Sequence, residues 1–413
     1  MNRLVMLWMA EGMIQPISER RLEDIGSEYF NDLLCRSFFN FLDEDPDDKK
    51  EMFKMHDFTR HMAQLSMKLE LLRFPKCEKL RTFLLLCQSS VDIDRHASFL
   101  VQKFVILRVL DLNSCGITVL PDSIGLLKYL RYLNLSNNSI YGLPESVCEL
   151  SCLQTLVLKG CPLNSLLENF YKLTNLRHLE FDVKGHLTRM PKNLGNLVNL
   201  QTLHAFIIEL DEGYNIEELK DMACLSGSIC ITKLENLTCK EEADLAFLNM
   251  KTLIKNLELE WTTSGNGDLH LDVLTGLQPH GCKALPPLRE LRFLEDLAIE
   301  SMSSLRTIHP DFVGVGGSVG FRSLKSLTFI NMPILSKWEC LGDLHMPQLR
   351  LLKFDSCPML MNLPPLHGIQ FLLLTIRNNP ILKARYQVDG TDWRKVRTVP
   401  MVQIDEEKMP TTS

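Results

Sequence analysis

Leu107, Leu130, Leu153 and Leu176 stand 23 residues apart, and the segments behind them align. Leu107-Arg-Val109-Leu110-Asp111-Leu112-Asn113-Ser-Cys115-Gly-Ile117 matches Leu130-Arg-Tyr132-Leu133-Asn134-Leu135-Ser-Asn-Asn138-Ser-Ile140 position for position. Leu153-Gln-Thr155-Leu156-Val157-Leu158-Lys-Gly-Cys161-Pro-Leu163 repeats the pattern. A fixed period of this length constrains the fold strongly. One unit cannot bury its own leucines, so neighbouring units must stack and bury them together.

The pattern L-x-x-L-x-L-x-x-(N/C)-x-L is that of leucine-rich repeats. Strand side chains alternate, so Leu110 and Leu112 point inward while Val109, Asp111 and Asn113 point outward. Cys115, Asn138 and Cys161 stand where the chain leaves the strand. A buried polar side chain there can satisfy backbone groups that the turn leaves unpaired. The steps Leu120-Pro121 and Leu143-Pro144 follow, proline ending the pairing because it lacks a donor. A return arm then carries its own apolar stripe, Ile124 and Leu127, then Val147 and Leu150.

Stacked units about 4.8 Å apart make a curved parallel sheet with an exposed concave face. Two outward files are expected on it: Val109, Tyr132, Thr155 and His178, and beside them Asp111, Asn134, Val157 and Glu180. Together with Asn113 these are the candidate partner-binding residues, because the repeat places no structural demand on them. The fold class expected is α/β: a small, mostly helical domain, then a leucine-rich-repeat solenoid. The solenoid should run over residues 80–385, regular at 107–199 and irregular after, with a tail at 386–413. Irregular later strands are expected at Leu257 to Trp261, Leu291 to Ile299, Leu324 to Ile330 and Leu349 to Phe354, for roughly ten to thirteen units in all.

Residues 1–75 lack the period. Leu4, Leu7 and Trp8 suggest a helix that stops at Gly12. Leu22, Ile25, Tyr29 and Leu33 fall at helical spacing, predicting a helix from Ser18, as its cap, to Arg36. Phe38 to Leu42 and Met52 to Met55, joined by a charged segment, read as a hairpin. A third helix should run from about Phe58 to Leu69. This order is that of a winged helix. Its second helix carries Glu19, Glu23, Asp24, Glu28 and Asp32 against three arginines, and net charge is −6 overall. A phosphate-facing surface should be basic, so nucleic acid is not the expected partner.

No apolar run reaches the eighteen or so residues that a membrane span needs, and the first residues lack the pattern of a signal peptide. The thirteen cysteines form no C-x-x-C pair and read as reduced thiols. The sequons at Asn134, Asn137 and Asn236 would matter only in an extracellular protein. No H-E-x-x-H, G-x-S-x-G or paired metal-ligand spacing occurs, so neither an enzyme nor a metal site is expected. The glycines from Gly314 to Gly320 miss the G-x-G-x-x-G spacing and are read as a loop.

Several motifs, in order, resemble plant intracellular nucleotide-binding leucine-rich-repeat immune receptors, the disease resistance proteins of the coiled-coil type. Leu7-Trp8-Met9-Ala10-Glu11-Gly12-Met13-Ile14 is similar to their Leu-Trp-x-Ala-Glu-Gly-Phe-Ile run. Leu33-Leu-Cys-Arg36-Ser37-Phe38-Phe39 resembles their Leu-x-x-Arg-Ser-x-Phe segment, and Met55-His56-Asp57 their Met-His-Asp. Asp392-Trp393-Arg-Lys395 resembles their Asp-Trp-x-Lys. The resemblance implies that residues 1–75 end an NB-ARC module, whose upstream nucleotide-binding domain holds ADP or ATP. His56 would then sense the ADP phosphate, with Asp57 as its structural partner and helix cap. A contact of roughly 1.5–3 kcal/mol made in one state only would shift a two-state equilibrium about tenfold to a hundredfold.

The resemblance also implies a cytoplasmic protein, partnered by a pathogen effector or a guarded host protein and by the upstream nucleotide-binding domain. His61 stands where the family usually has a second aspartate. No G-x-x-x-x-G-K-(S/T) occurs in the chain. A polypeptide of this sequence alone is therefore expected neither to bind nor to hydrolyse ATP, and to need no cofactor. The alternative reading is an ATP/ADP switch whose nucleotide-binding half is missing from the gene model.

Overall fold

The computed structural model describes residues 2–17, 20–35, 39–42, 52–55, 80–84, 101–182, 187–237, 242, 245–261, 291, 293–302, 305–308, 312, 321–339, 346–366 and 372–409. It divides into two compact units, Met1–Asp182 and Val183–Ser413.

In the first unit, helix α1 spans Asn2–Glu11 and α2 spans Leu22–Cys35. α1 stops where the sequence predicts. Gly12 adopts φ +77, its N–H bonds the Met9 carbonyl at 3.0 Å, and the Met13 N–H reaches back to Trp8 at 2.9 Å. This pair of bonds closes the helix end and suits a residue without a side chain. α2 begins at Leu22, later than the start expected at Ser18. Val5, Met9, Ile14 and Ile25 form the core between the two helices, with Trp8 and Leu22 packed against it. Gly26 permits the close approach: a Cβ there would stand 2.4 Å from Val5 Cγ1. The hairpin forms as read, β1 (Phe39–Leu42) antiparallel to β2 (Met52–Met55), with Phe39 opposite Met55. The third helix expected near Phe58 lies outside the described residues.

The repeat sheet of this unit holds β3 (Thr82–Leu84), β4 (Val109–Asp111), β5 (Tyr132–Asn134), β6 (Thr155–Val157) and β7 (His178–Glu180), all parallel. Leu110, Leu133, Leu156 and Leu179 stand in register and are buried. The two outward files pair as the period requires. Val109, Tyr132, Thr155 and His178 are neighbours in one; Asp111, Asn134, Val157 and Glu180 in the other. Pro121 and Pro144 each lead into a single 3-10 turn, Asp122–Leu126 and Glu145–Glu149, which buries Ile124 and Val147.

Asn138 shows why the turn position is polar. Its Oδ1 accepts the N–H groups of Cys115 and Ile117, both at 3.0 Å. Its amide donates to the carbonyls of Leu112 and Leu135 at 2.8 and 2.7 Å. One side chain thus satisfies buried backbone groups of two successive repeats.

The second unit begins its strands with β8 (Thr202–Leu203) and β9 (Ala205–Ile207). β10 (Ser226–Thr232), β11 (Leu253–Glu260), β12 (Asp296–Glu300), β13 (Thr307–Ile308), β14 (Ser326–Ile330) and β15 (Lys337–Trp338) follow. The last are β16 (Leu351–Asp355), β17 (Leu373–Arg377), β18 (Met401–Ile404) and β19 (Glu407–Met409). Its main sheet runs β9-β10-β11-β12-β14-β16-β17-β18-β19. The four irregular strands foreseen in the sequence correspond to β11, β12, β14 and β16. Here aromatic rings replace some leucines: Phe329 stacks on Phe354 at 5.5 Å, and Trp338 meets both edge-on. Asn379 repeats the role of Asn138, accepting from Cys357 N and donating to the Phe354 carbonyl.

Residues 386–413, read as a tail, carry β18, which extends the sheet in parallel beside β17. β19 then turns back antiparallel on β18, a hairpin that caps the edge of the sheet. Asp392 is buried and accepts bonds from Arg385 and Lys395, so the Asp-Trp-x-Lys motif ties this end together.

Candidate interaction face

The outward residues of β4 to β7 were expected to lie open to solvent, and the structure corrects this. Val109, Asp111, Tyr132, Asn134, Thr155, Val157 and His178 are all buried, while Asn113 and Glu180 are half-buried. The cause is a tertiary contact that the repeat pattern cannot reveal: the chain's own helix α1 lies on this face, and α2 reaches its far strand. Met6 and Ala10 of α1 pack with Val109 and Tyr132, and Leu7 and Leu84 flank them.

Polar bonds fix both ends of α1. Near its start, Arg3 Nη2 donates to Asp111 Oδ2 at 2.5 Å. At its end, the Arg108 guanidinium donates to the Glu11 carbonyl at 3.0 Å, and the Thr82 hydroxyl to the Glu11 carboxylate. A cation at the last carbonyls satisfies an orphan acceptor and complements the helix dipole. The Asp111 carboxylate is itself held in place. Asn134 Nδ2 donates to both of its oxygens at 3.1 Å, and the Asn113 N–H adds a bond at 3.2 Å. Asn134 is oriented in turn, its Oδ1 accepting from Ser136 N at 3.0 Å. Burial, reinforced by the Asp111 charge, holds the Tyr132 phenol well above its usual pKa.

At the other side of the face, Glu23 of α2 accepts two bonds from Arg177, at 2.8 and 2.9 Å, and lies 3.3 Å from His178 Nε2. Burial alone would raise the Glu23 pKa. Hydrogen bonds from His178 and Arg177 outweigh it and hold the carboxyl well below the usual carboxylate range. The acidic helix that argued against nucleic acid thus supplies the anion of an intramolecular pair. Arg3, Glu23, Arg108 and Arg177 were missed as site residues. The signal available was charge: arginine recurs at one repeat position, 108, 131 and 177, while Glu11 ends α1 and α2 is acidic.

The candidate sensor pair His56 and Asp57 lies outside the described residues. So do the glycines from Gly314 to Gly320. Among the described residues, Cys148 and Cys357 are buried free thiols pushed up to about 12 by burial. Asn134, one of the sequons, is 2% exposed with its amide committed to Asp111.

Two helices seated on a parallel leucine-rich-repeat sheet define a repeat protein with a helical N-terminal region. Two sequence-family models match it: residues 1–63 match the disease resistance protein winged helix domain, and residues 80–266 a leucine-rich repeat region. The chain is 31% identical to the putative disease resistance protein RGA1 of Solanum bulbocastanum over 93% of its own length and 43% of that protein's. It is 32% identical to the putative disease resistance protein RGA4 of the same species, over 87% and 41%. Among solved structures it is similar to the leucine-rich-repeat ectodomain of the Arabidopsis receptor kinase HAESA, with TM-score 0.45 and 17% identity. That match covers 74% of this chain and 47% of the other. The chain belongs to the plant disease resistance proteins and carries their winged-helix and leucine-rich-repeat regions. It spans about two fifths of the length of the two curated relatives named above.

Proposed function

We propose that this chain serves plant defence as the recognition and restraint part of a nucleotide-dependent immune switch. The reading rests on one observation: α1 and α2 are seated on the sheet face of β4 to β7, through Arg3–Asp111 and Glu23–Arg177. Bonds between the winged helix and the repeats can hold a switch in one state only if they exist in that state and break in the other. The repeats would recognise a protein, a pathogen effector or a guarded host protein, and binding would bias the equilibrium between the two arrangements. ADP and ATP would act in the upstream nucleotide-binding domain of such a receptor, with His56 and Asp57 meeting the ADP phosphate. The chain's own contribution is binding rather than catalysis.

The reading places the protein in the cytoplasm. Among the described residues no helix is long and apolar enough to cross a membrane, and a sequon whose asparagine is buried and bonded cannot carry a glycan in the folded chain.

The test is a receptor in which this chain replaces the corresponding region of RGA1, expressed in leaf tissue. Arg177→Glu should cause effector-independent cell death at normal protein level. Adding Glu23→Arg, which restores an opposite pair, should suppress it. Quiet tissue with Arg177→Glu, or no rescue by the double exchange, refutes restraint through this contact.

A further inference from the structure

We propose that Asp111, Tyr132 and Asn134 form a guanidinium-binding site, occupied in cis by Arg3 and open in trans to an arginine-bearing apolar helix of a partner protein. The inference rests on the proposed restraint, since it requires that α1 can leave the face.

The site is built before any ligand arrives. The two oxygens of Asp111 are set by Asn134, which is itself set by Ser136. The arrangement comes entirely from β4, β5 and the turn after β5, so it survives the departure of α1. The guanidinium of Arg3 also meets the Tyr132 phenol. Arginine suits this geometry, because its planar fork can serve a carboxylate and a neighbouring acceptor together.

The face left behind by α1 is not an indifferent one. It would present Val109, the Tyr132 ring and Leu84 beside a carboxylate whose counter-ion has gone. An apolar patch with a fixed anion at its edge selects a ligand of the same composition as the one it lost. That composition is legible in α1. Arg3 stands at the start, and Met6 and Ala10, one helical turn apart, lie on the apolar contact. The small Ala10 lets the helix backbone come close to the sheet, so a large residue at the matching position should be excluded. A partner that docks here competes with α1, and the cost of releasing α1 lowers its apparent affinity.

The experiment uses the full chain and a fluorescein-labelled peptide of the sequence from Asn2 to Gln15. The chain is prepared as wild type and as Ala10→Glu, which places a carboxylate in the apolar contact of α1 and leaves the sheet unaltered. Circular dichroism checks folding, and Arg3→Glu replaces Ala10→Glu should that variant fail to fold. The peptide is expected to bind the released variant at least tenfold more tightly than wild type. A peptide with alanine in place of Arg3 should bind about tenfold more weakly. Asp111→Asn in the released chain should weaken the arginine peptide by a similar factor, the size of one charge-assisted bond. Equal binding of the two peptides, or no gain on releasing α1, overturns the proposal. The leaf assay turns on Glu23 and Arg177, so restraint and exchange can fail independently.

Discussion

Replacing Glu23 by alanine should loosen the winged helix from the repeats without touching the repeat core. The carboxylate takes two charge-assisted bonds from Arg177, at 2.8 and 2.9 Å, and His178 Nε2 lies 3.3 Å away. Bonds to charged groups contribute roughly 1.5–3 kcal/mol each when buried. The Glu23 and Arg177 side chains are 15% and 21% exposed, so solvent screens the pair, and about 1–2 kcal/mol for the whole contact is the reasonable expectation. Undocking of α2 is a local opening, which amide hydrogen exchange measures directly. Exchange of amides in Leu22–Cys35 should therefore rise about fivefold to thirtyfold at neutral pH, while amides of β12 to β16 keep their rates.

The pH dependence follows from the direction of the shift. The folded-state pKa lies below the ordinary 4.5, so the contribution is fully present above about 4.5 and fades as pH falls below it. The gap between wild type and Glu23→Ala should thus be flat from pH 6 to 8 and shrink in acid. Arg177→Ala should give a similar loosening, and the double variant less than the sum. Additivity within about 0.3 kcal/mol would show that the two side chains do not hold each other and would refute the contact as the latch.

Three further outcomes are expected. Asn138→Ala leaves the buried N–H groups of Cys115 and Ile117 without their acceptor and should cost about 2–4 kcal/mol in the first unit, read by denaturant unfolding. Gly26→Ala drives a methyl to 2.4 Å from Val5 Cγ1; the overpacking, about 1–3 kcal/mol, should exceed the roughly 1 kcal/mol gained in helix propensity and lower the unfolding midpoint. Lys251 is 1% exposed and donates to the Lys220 and Met222 carbonyls, and burial pushes its pKa down to about 8. The unfolded chain then binds more protons between pH 8 and 10.5, so the second unit should gain about 1–3 kcal/mol over that range, and Lys251→Met should abolish the gain.

The 23-residue leucine period carried the strands of the first unit, their register, the inward leucines and the polar turn at Asn138. Each depends on a local alternation that stacking merely repeats. The stop of α1 at Gly12 and the Phe39–Met55 hairpin were legible for the same reason. β10 and β18 were not, because Ser226–Thr232 and Met401–Ile404 fall outside the 23-residue period that marked the strands of the first unit.

The candidate face divides along the same line. Which residues share a file on the sheet was settled by the side-chain alternation and the period together. Whether that file meets solvent was not: Val109, Asp111 and Tyr132 look outward in the sequence and are buried in the fold. Sequence alternation records which side of a strand a residue occupies, whereas its exposure depends on what packs over that side. Here the covering element is α1, some 100 residues earlier in the chain. Only the tertiary structure could bring Arg3 to Asp111 and Glu23 to Arg177, because pairing at that separation leaves no period in the sequence to read.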